Sequence, residues 1–132
     1  MHPVRQCLAL LTLSSFALLA QADEQGYSST YSQCMKASGG ITVEMLDCIA
    51  SETKLQDARL NQNYRAATQT LKRLLPQLRG AQRLWIQYRD AECGLQGSLT
   101  GGSMDGINRA SCFLEMTKTR ADQLDSLAQL DL

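Results

Sequence analysis

From Tyr27 onward the apolar side chains recur at three- and four-residue intervals, the spacing that lines one face of an α-helix, and nowhere alternate as a half-buried strand requires. Tyr27, Tyr31, Cys34 and Met35 mark a short first helix that ends near Ser38-Gly39-Gly40, where the glycine pair breaks the pattern. Thr42 is placed to cap a second helix, with Glu44 favourably in its first turn. Leu46, Ile49, Thr53, Leu60, Tyr64, Ala67, Leu71 and Leu74 then keep to one stripe over about eight turns, which predicts a long amphipathic helix. Pro76 cannot continue that helix but suits the first turn of a successor, so an antiparallel turn is expected at Leu75 to Gln77. The third helix is expected to carry Leu78, Ala81, Leu84, Trp85, Tyr88 and Leu95 inward. A glycine- and serine-rich loop from Gly97 to Gly106 follows, and a fourth helix buries Phe113, Thr117, Ala121, Leu124 and Leu127. No internal repeat is visible. The predicted fold is all-α: a four-helix antiparallel hairpin or bundle with a long second helix.

The first 22 residues follow a different pattern. Arg5 precedes an apolar run from Cys7 to Ala20, which ends in Ala20-Gln21-Ala22. That is the layout of a secretory signal peptide, with cleavage expected after Ala22 and a helical domain at 23–132. The run is too short to cross a bilayer core of roughly 30 Å as a helix. Cys7 lies inside it and no cysteine follows its end, so the usual placement of a lipid-modified cysteine is missing. The expectation is a bacterial envelope protein, periplasmic or secreted and not membrane-spanning.

Export changes how the cysteines are read. Cys34, Cys48, Cys93 and Cys112 survive cleavage, and an even number in an oxidising compartment points to two disulfides. Cys34 and Cys48 lie at similar distances from the first turn, and Cys93 and Cys112 at similar distances from the middle of the glycine-rich loop. Antiparallel packing brings each pair level, so Cys34–Cys48 and Cys93–Cys112 are expected among the three possible connectivities. Each closes a short loop and contributes about 3 kcal/mol in the chain-entropy model, a useful supplement for a domain of this size. No Cys-x-x-Cys redox spacing is present.

Cleavage also removes His2, the sole histidine, so the domain has no imidazole for a nucleophile pair or a His-containing zinc site. Asp90 and Glu92 form the closest carboxylate pair, but residues two apart on a helix do not share a face. No catalytic residues, metal site or cofactor are expected. Loss of Arg5 leaves twelve basic against thirteen acidic side chains, a balance that names no partner. Charge order says more. Arg59, Arg65, Lys72, Arg73, Arg79, Arg83 and Arg89 occur without an acidic residue between them and gather toward Pro76, where Asp122, Asp125 and Asp131 of the fourth helix can offset them. The Arg59 to Arg83 face is an ion-paired surface or a site for an anionic glycan or lipid headgroup. The sparse aromatics, mostly at core spacing, argue against nucleic acid. At the opposite end Glu44, Asp47, Asp90, Glu92 and Asp105 outnumber Lys36 and Arg109, and that acidic end carries the loop Gly101-Gly102-Ser103. A disulfide-tethered loop on an anionic surface suits insertion into a cationic partner.

The string from Ala81 to Cys93, containing Gln82, Trp85, Tyr88 and Arg89, resembles the signature of the LprI-type lysozyme inhibitor domain. Further matches are Cys34, the Met45 to Cys48 segment, Glu52, Asp57, Leu60, Asn61, Tyr64, Gly101 to Ser103, Cys112, Thr117, Arg120 and Leu124. The resemblance implies an all-helical periplasmic or surface protein that binds lysozyme and blocks peptidoglycan hydrolysis. Gln82, Trp85, Arg89 and Cys93 fall along one side of the third helix, where they are expected to pack against the second, with Arg89 reaching Asp57 or Glu52. Candidate partner-binding residues are Asp90, Glu92, Gly101, Gly102, Ser103 and Asp105. Competing readings are an immunity protein against a peptidoglycan amidase and an envelope-stress module that binds glycan or lipid without inhibiting an enzyme.

Overall fold

A computed structural model describes residues 26–132; the signal segment and its cleavage point lie outside them. Four helices follow in order: α1 (Ser29–Ala37), α2 (Thr42–Thr70), α3 (Leu75–Gln96) and α4 (Met104–Ala128). The described chain is all-helical, and both expected disulfides are present, Cys34–Cys48 and Cys93–Cys112, with Cα separations of 5.7 and 5.5 Å.

Local chemistry sets the helix boundaries. Ser28 caps α1, its hydroxyl accepting from Tyr31 N–H at 3.1 Å. Gly39 and Gly40, at φ of 57° and 82°, turn the chain through the left-handed region that other residues avoid. Thr42 proves to be the first residue of α2 rather than its cap; Ile41 holds the cap position and supplies no side-chain bond. Glu44 stands in the first turn as expected. The break between α2 and α3 comes earlier than the Leu75 to Gln77 turn read from the sequence. α2 ends at Thr70, Lys72–Leu74 form a 3₁₀ turn, and Leu75 already opens α3 with Pro76 behind it. The cause is the reach of proline: its ring excludes the carbonyl four residues back, at Lys72, so the preceding helix must stop before that point.

α4 is the central element. It packs along α2 and along α3, whereas α2 and α3 do not pack along each other. α2 and α4 run parallel, with Ile49 against Ile107 and Leu114 at one end and Thr70 Oγ1 donating to the Ala128 carbonyl at 2.8 Å at the other. α3 runs antiparallel to α4, tied by Cys93–Cys112 at one end and by Arg120 Nε donating to Gln82 Oε1 at 2.9 Å toward the other. The third helix therefore packs on the fourth, not on the second.

Two apolar clusters sit along the α2–α4 seam. Leu60, Ala67, Leu71, Leu78, Ala121 and Leu124 fill the end near the 3₁₀ turn, with Tyr64 and Trp85 packed against them. Ile49, Ile107 and Leu114 fill the disulfide end beneath Tyr27, Tyr31 and Met35. Burial of a leucine as complete as Leu114 or Leu124 contributes about 2 kcal/mol. Between the clusters lies a polar layer of Glu52, Gln56 and Thr117. Glu52 accepts from Ser28 N–H at 3.1 Å, Ser28 Oγ at 2.5 Å and Gln56 Nε2 at 2.8 Å, which fastens the segment before α1 onto α2.

Of the six residues expected inward on α3, two are. Leu78 is buried and Trp85 half-buried, but Ala81, Leu84, Tyr88 and Leu95 face solvent. With only α4 beside it, α3 has one covered stripe, and these four residues lie outside it.

Candidate functional site

The glycine-rich loop is shorter than expected, residues 97–103, because Met104 already begins α4. Its conformation is set by Asp105 in the first turn of that helix. Asp105 Oδ1 accepts from Thr100 N–H at 2.9 Å and Thr100 Oγ1 at 2.7 Å, and Oδ2 accepts from Gly101 N–H at 2.8 Å. The Thr100 hydroxyl above all, then the backbone N–H groups of Thr100 and Gly101, hold this carboxyl below its ordinary range. Gly101 has a φ of 73°, which suits it to turn the chain over that carboxylate. At the loop's start Gly97 lies against Arg109, where an added Cβ would come within 2.9 Å of the Arg109 Cβ. Gly101, Gly102 and Ser103 are thus exposed yet held at both ends, and Asp105 is the anchor of the loop rather than a free charge.

Beside the loop, α3 and α4 enclose a groove of about 390 Å³ lined by Tyr88, Glu92 and Gln96 from one helix and Asn108, Ser111, Cys112, Glu115 and Met116 from the other. The Cys93–Cys112 bridge ties the two walls together. Glu92 accepts from Gln96 Nε2 at 3.0 Å, and Glu115 adds a second carboxylate on the opposite wall. Glu115 was not among the residues singled out from sequence. The available signal was register: it follows Cys112 by one helical turn as Glu92 adjoins Cys93, so the bridge sets the two facing. A smaller hollow at the other disulfide holds Glu44 and Asp47. Sharing an end of the bundle, the two disulfides carry acidic side chains around both.

Asp90 is exposed and accepts from Arg89 Nε and Nη2, each at 3.0 Å. Arg89 does not reach Asp57 or Glu52 as anticipated. Its guanidinium lies 4.9 Å from the Trp85 ring centroid and 4.0 Å from that of Phe113, stacked between α3 and α4. Gln82 bonds Arg120, whose pKa is lowered by burial. Within the motif string Gln82, Trp85, Arg89 and Cys93 thus build the α3–α4 contact, while Tyr88 stays on the surface. Asp57 and Asn61 form a local brace on exposed α2, Asn61 Nδ2 donating to the Asp57 carbonyl at 2.9 Å and carboxylate at 3.1 Å. Tyr64 packs against the cluster beside the 3₁₀ turn.

The basic face divides in two. Arg59 pairs with Asp122, which also accepts from Lys118 at 2.8 Å. Burial raises the Asp122 carboxyl, but the bonds from Arg59 and Lys118 together outweigh it and hold the carboxyl below its ordinary range. Lys72, Arg73, Arg79 and Arg83 remain exposed around the 3₁₀ turn, next to a hollow of about 600 Å³ lined by residues 69–74 and Leu132. Among the described residues no helix is long and apolar enough to cross a membrane, and no group of three or more His, Cys, Asp or Glu is placed to hold a metal ion.

Comparison with known proteins adds a family to this geometry. A family model described as lysozyme inhibitor LprI matches residues 34–124, a span that includes both disulfides, the loop and the α3–α4 groove. An uncharacterized protein of Rhizobium meliloti (strain 1021) is 35% identical over 111 residues, covering 73% of this chain and 78% of the relative. No solved structure matches the chain significantly.

Proposed function

The chain belongs to the LprI lysozyme inhibitor family, and on that premise we propose that it is exported by the signal at residues 1–22 and that its domain at 23–132 binds lysozyme and blocks peptidoglycan hydrolysis. The family match carries the reading, and the acidic α3–α4 groove supplies a physical means. Lysozymes that hydrolyse an anionic cell wall are commonly cationic, and a surface bearing Asp90, Glu92 and Glu115 steers such a partner toward itself. The loop beside the groove, ordered in advance by Asp105, inserts with little further loss of conformational freedom. The protein acts by occlusion and takes no part in bond breaking. Asp90→Lys with Glu115→Lys, both at exposed positions, is expected to weaken inhibition of muramidase activity by at least about tenfold, on the scale of 1.4 kcal/mol per decade. Unchanged inhibition by that variant removes the groove from the mechanism, and unchanged muramidase activity with the unaltered protein in molar excess removes the function.

A second reading draws on the basic turn. Lys72 and Arg73 border a hollow large enough for a phosphate or sugar-acid group, which supports an anionic glycan or lipid as an additional ligand. Arg59 is already neutralised by Asp122, so any such site is confined to Lys72, Arg73, Arg79 and Arg83. Reversal of Arg73, Arg79 and Arg83 abolishes binding to isolated cell wall on this reading and leaves lysozyme inhibition intact.

A further inference from the structure

α3 carries a second apolar stripe that none of the described residues covers. Ala81, Leu84, Tyr88, Ala91 and Leu95 recur at alternating three- and four-residue steps, the seven-residue repeat of a helix-pairing seam. All five face solvent, Leu84 at 66%, Tyr88 at 60% and Leu95 at 57% exposure. They lie on a different side of the helix from Leu78, Trp85 and Cys93, which pack inward. One flank of the stripe is Gly80, Gln87 and Gly94, with open space at both glycines. None of these eight positions is charged, although the same helix carries Arg79, Arg83, Arg89, Asp90 and Glu92 elsewhere.

We propose that this seam is closed by α3 of a second copy of the chain, in an antiparallel pair about a two-fold axis near Gln87. The order of charge along the helix selects that arrangement: Arg79 and Arg83 occupy its first half, Asp90 and Glu92 its second, where Arg89 is turned away against Trp85 and Phe113. Turned antiparallel, Arg83 comes level with Asp90 of the second copy, while Ala81 meets Ala91 and Leu84 meets Tyr88. A parallel pair instead sets Arg83 beside Arg83. The same patch serves both copies, so the contact closes on itself and stops at two. Opposed alanines and the glycine flank let the backbones approach closely. A 22-residue helix is about 33 Å long, and burying its exposed side along that length removes on the order of 600 Å² per protomer, about 1,200 Å² in all, the lower edge of specific interfaces. The pair is therefore a concentration-dependent dimer, measurable on the protein alone; because Tyr88 also lines the α3–α4 groove, pairing and lysozyme compete for this end of α3.

Sedimentation velocity on the protein purified after export tests this. The weight-average mass is expected to rise from monomer toward dimer as concentration increases into the range of roughly 100 μM. Leu84→Lys touches no core residue; it is expected to keep the helical circular dichroism and raise the dissociation constant at least about tenfold. Arg83→Asp should weaken the pair by about threefold, and adding Asp90→Arg should restore it in part, since each reversed charge regains an opposite partner across the pair while Arg89 loses its bond to residue 90. A wild type that stays monomeric throughout, or a dimer indifferent to Leu84→Lys, overturns the proposal. Failure of the double reversal to restore pairing overturns the antiparallel arrangement. A monomeric wild type whose Leu84→Lys variant loses lysozyme binding would assign the seam to the enzyme instead.

Discussion

Replacing Cys93 and Cys112 together by alanine separates the stability of the bundle from the integrity of its acidic groove. The bridge joins residues 19 apart, and releasing that constraint from the unfolded chain costs about 3 kcal/mol in the chain-entropy model. Cys93 is buried, so loss of its sulfur adds about 1 kcal/mol for the void. At a few degrees per kcal/mol for a domain of this length, the melting temperature should fall by roughly 15 °C. The control is the other bridge, Cys34–Cys48, which joins residues 14 apart and by the same reasoning also costs about 3 kcal/mol. Stability falls by comparable amounts in the two double variants, but their functional consequences differ. α1 remains fastened to α2 by the bonds of Ser28 to Glu52. The last turns of α3 lose the covalent tie to α4 that holds Glu92 opposite Glu115 and restrains the loop. Thermal circular dichroism and muramidase inhibition, the latter well below both melting temperatures, read the two effects apart. Inhibition should drop sharply for the Cys93/Cys112 variant and persist for the Cys34/Cys48 variant. A selective loss in the Cys34/Cys48 variant, or undiminished inhibition by a folded Cys93/Cys112 variant, refutes the reasoning.

Glu52→Ala removes the acceptor for Ser28 and Gln56 inside the polar layer, where Glu52 itself is 2% exposed; urea unfolding should show a loss of about 2–4 kcal/mol. Arg89→Ala strips the stack between Trp85 and Phe113 and should cost about 1–2 kcal/mol by the same method. Arg89→Lys should recover little of this, because an ammonium does not stack as a planar guanidinium does. The folded pKa of Asp122 is depressed, so its stabilisation is complete above the ordinary carboxylate range near pH 4 and is lost as pH falls through the depressed value. Asp122→Asn should therefore flatten the acid limb of the stability curve by less than about 1 kcal/mol, given how exposed the pair is.

Much of the fold was legible because two independent signals agreed. The helical period gave four helices, and the distances of the cysteines from the two turns gave both disulfides. The neighbours of α3 were not legible. Periodicity says that a face is apolar but not what covers it, and α3 has two apolar stripes that the sequence presents as one. The periodicity therefore presents Leu84, Tyr88 and Leu95 as core alongside Leu78 and Trp85. The polar layer left a trace that could have been read: the stripe on α2 jumps from Thr53 to Leu60, and the position between them on that face is Gln56, bonded to Glu52. At the candidate site the acidic character of the end was visible in composition. The engagement of Asp105 by its own loop, and the facing of Glu92 by Glu115, needed the register that only the assembled helices provide.

The claim that the acidic α3–α4 end receives lysozyme is tested most directly by amide hydrogen exchange on the purified protein with and without the enzyme. The account predicts added protection across residues 88–105 and along the groove-lining part of α4, residues 108–116, with the 3₁₀ turn and the start of α3 unchanged. Protection confined to residues 69–83, or none at concentrations where muramidase activity is inhibited, would contradict it.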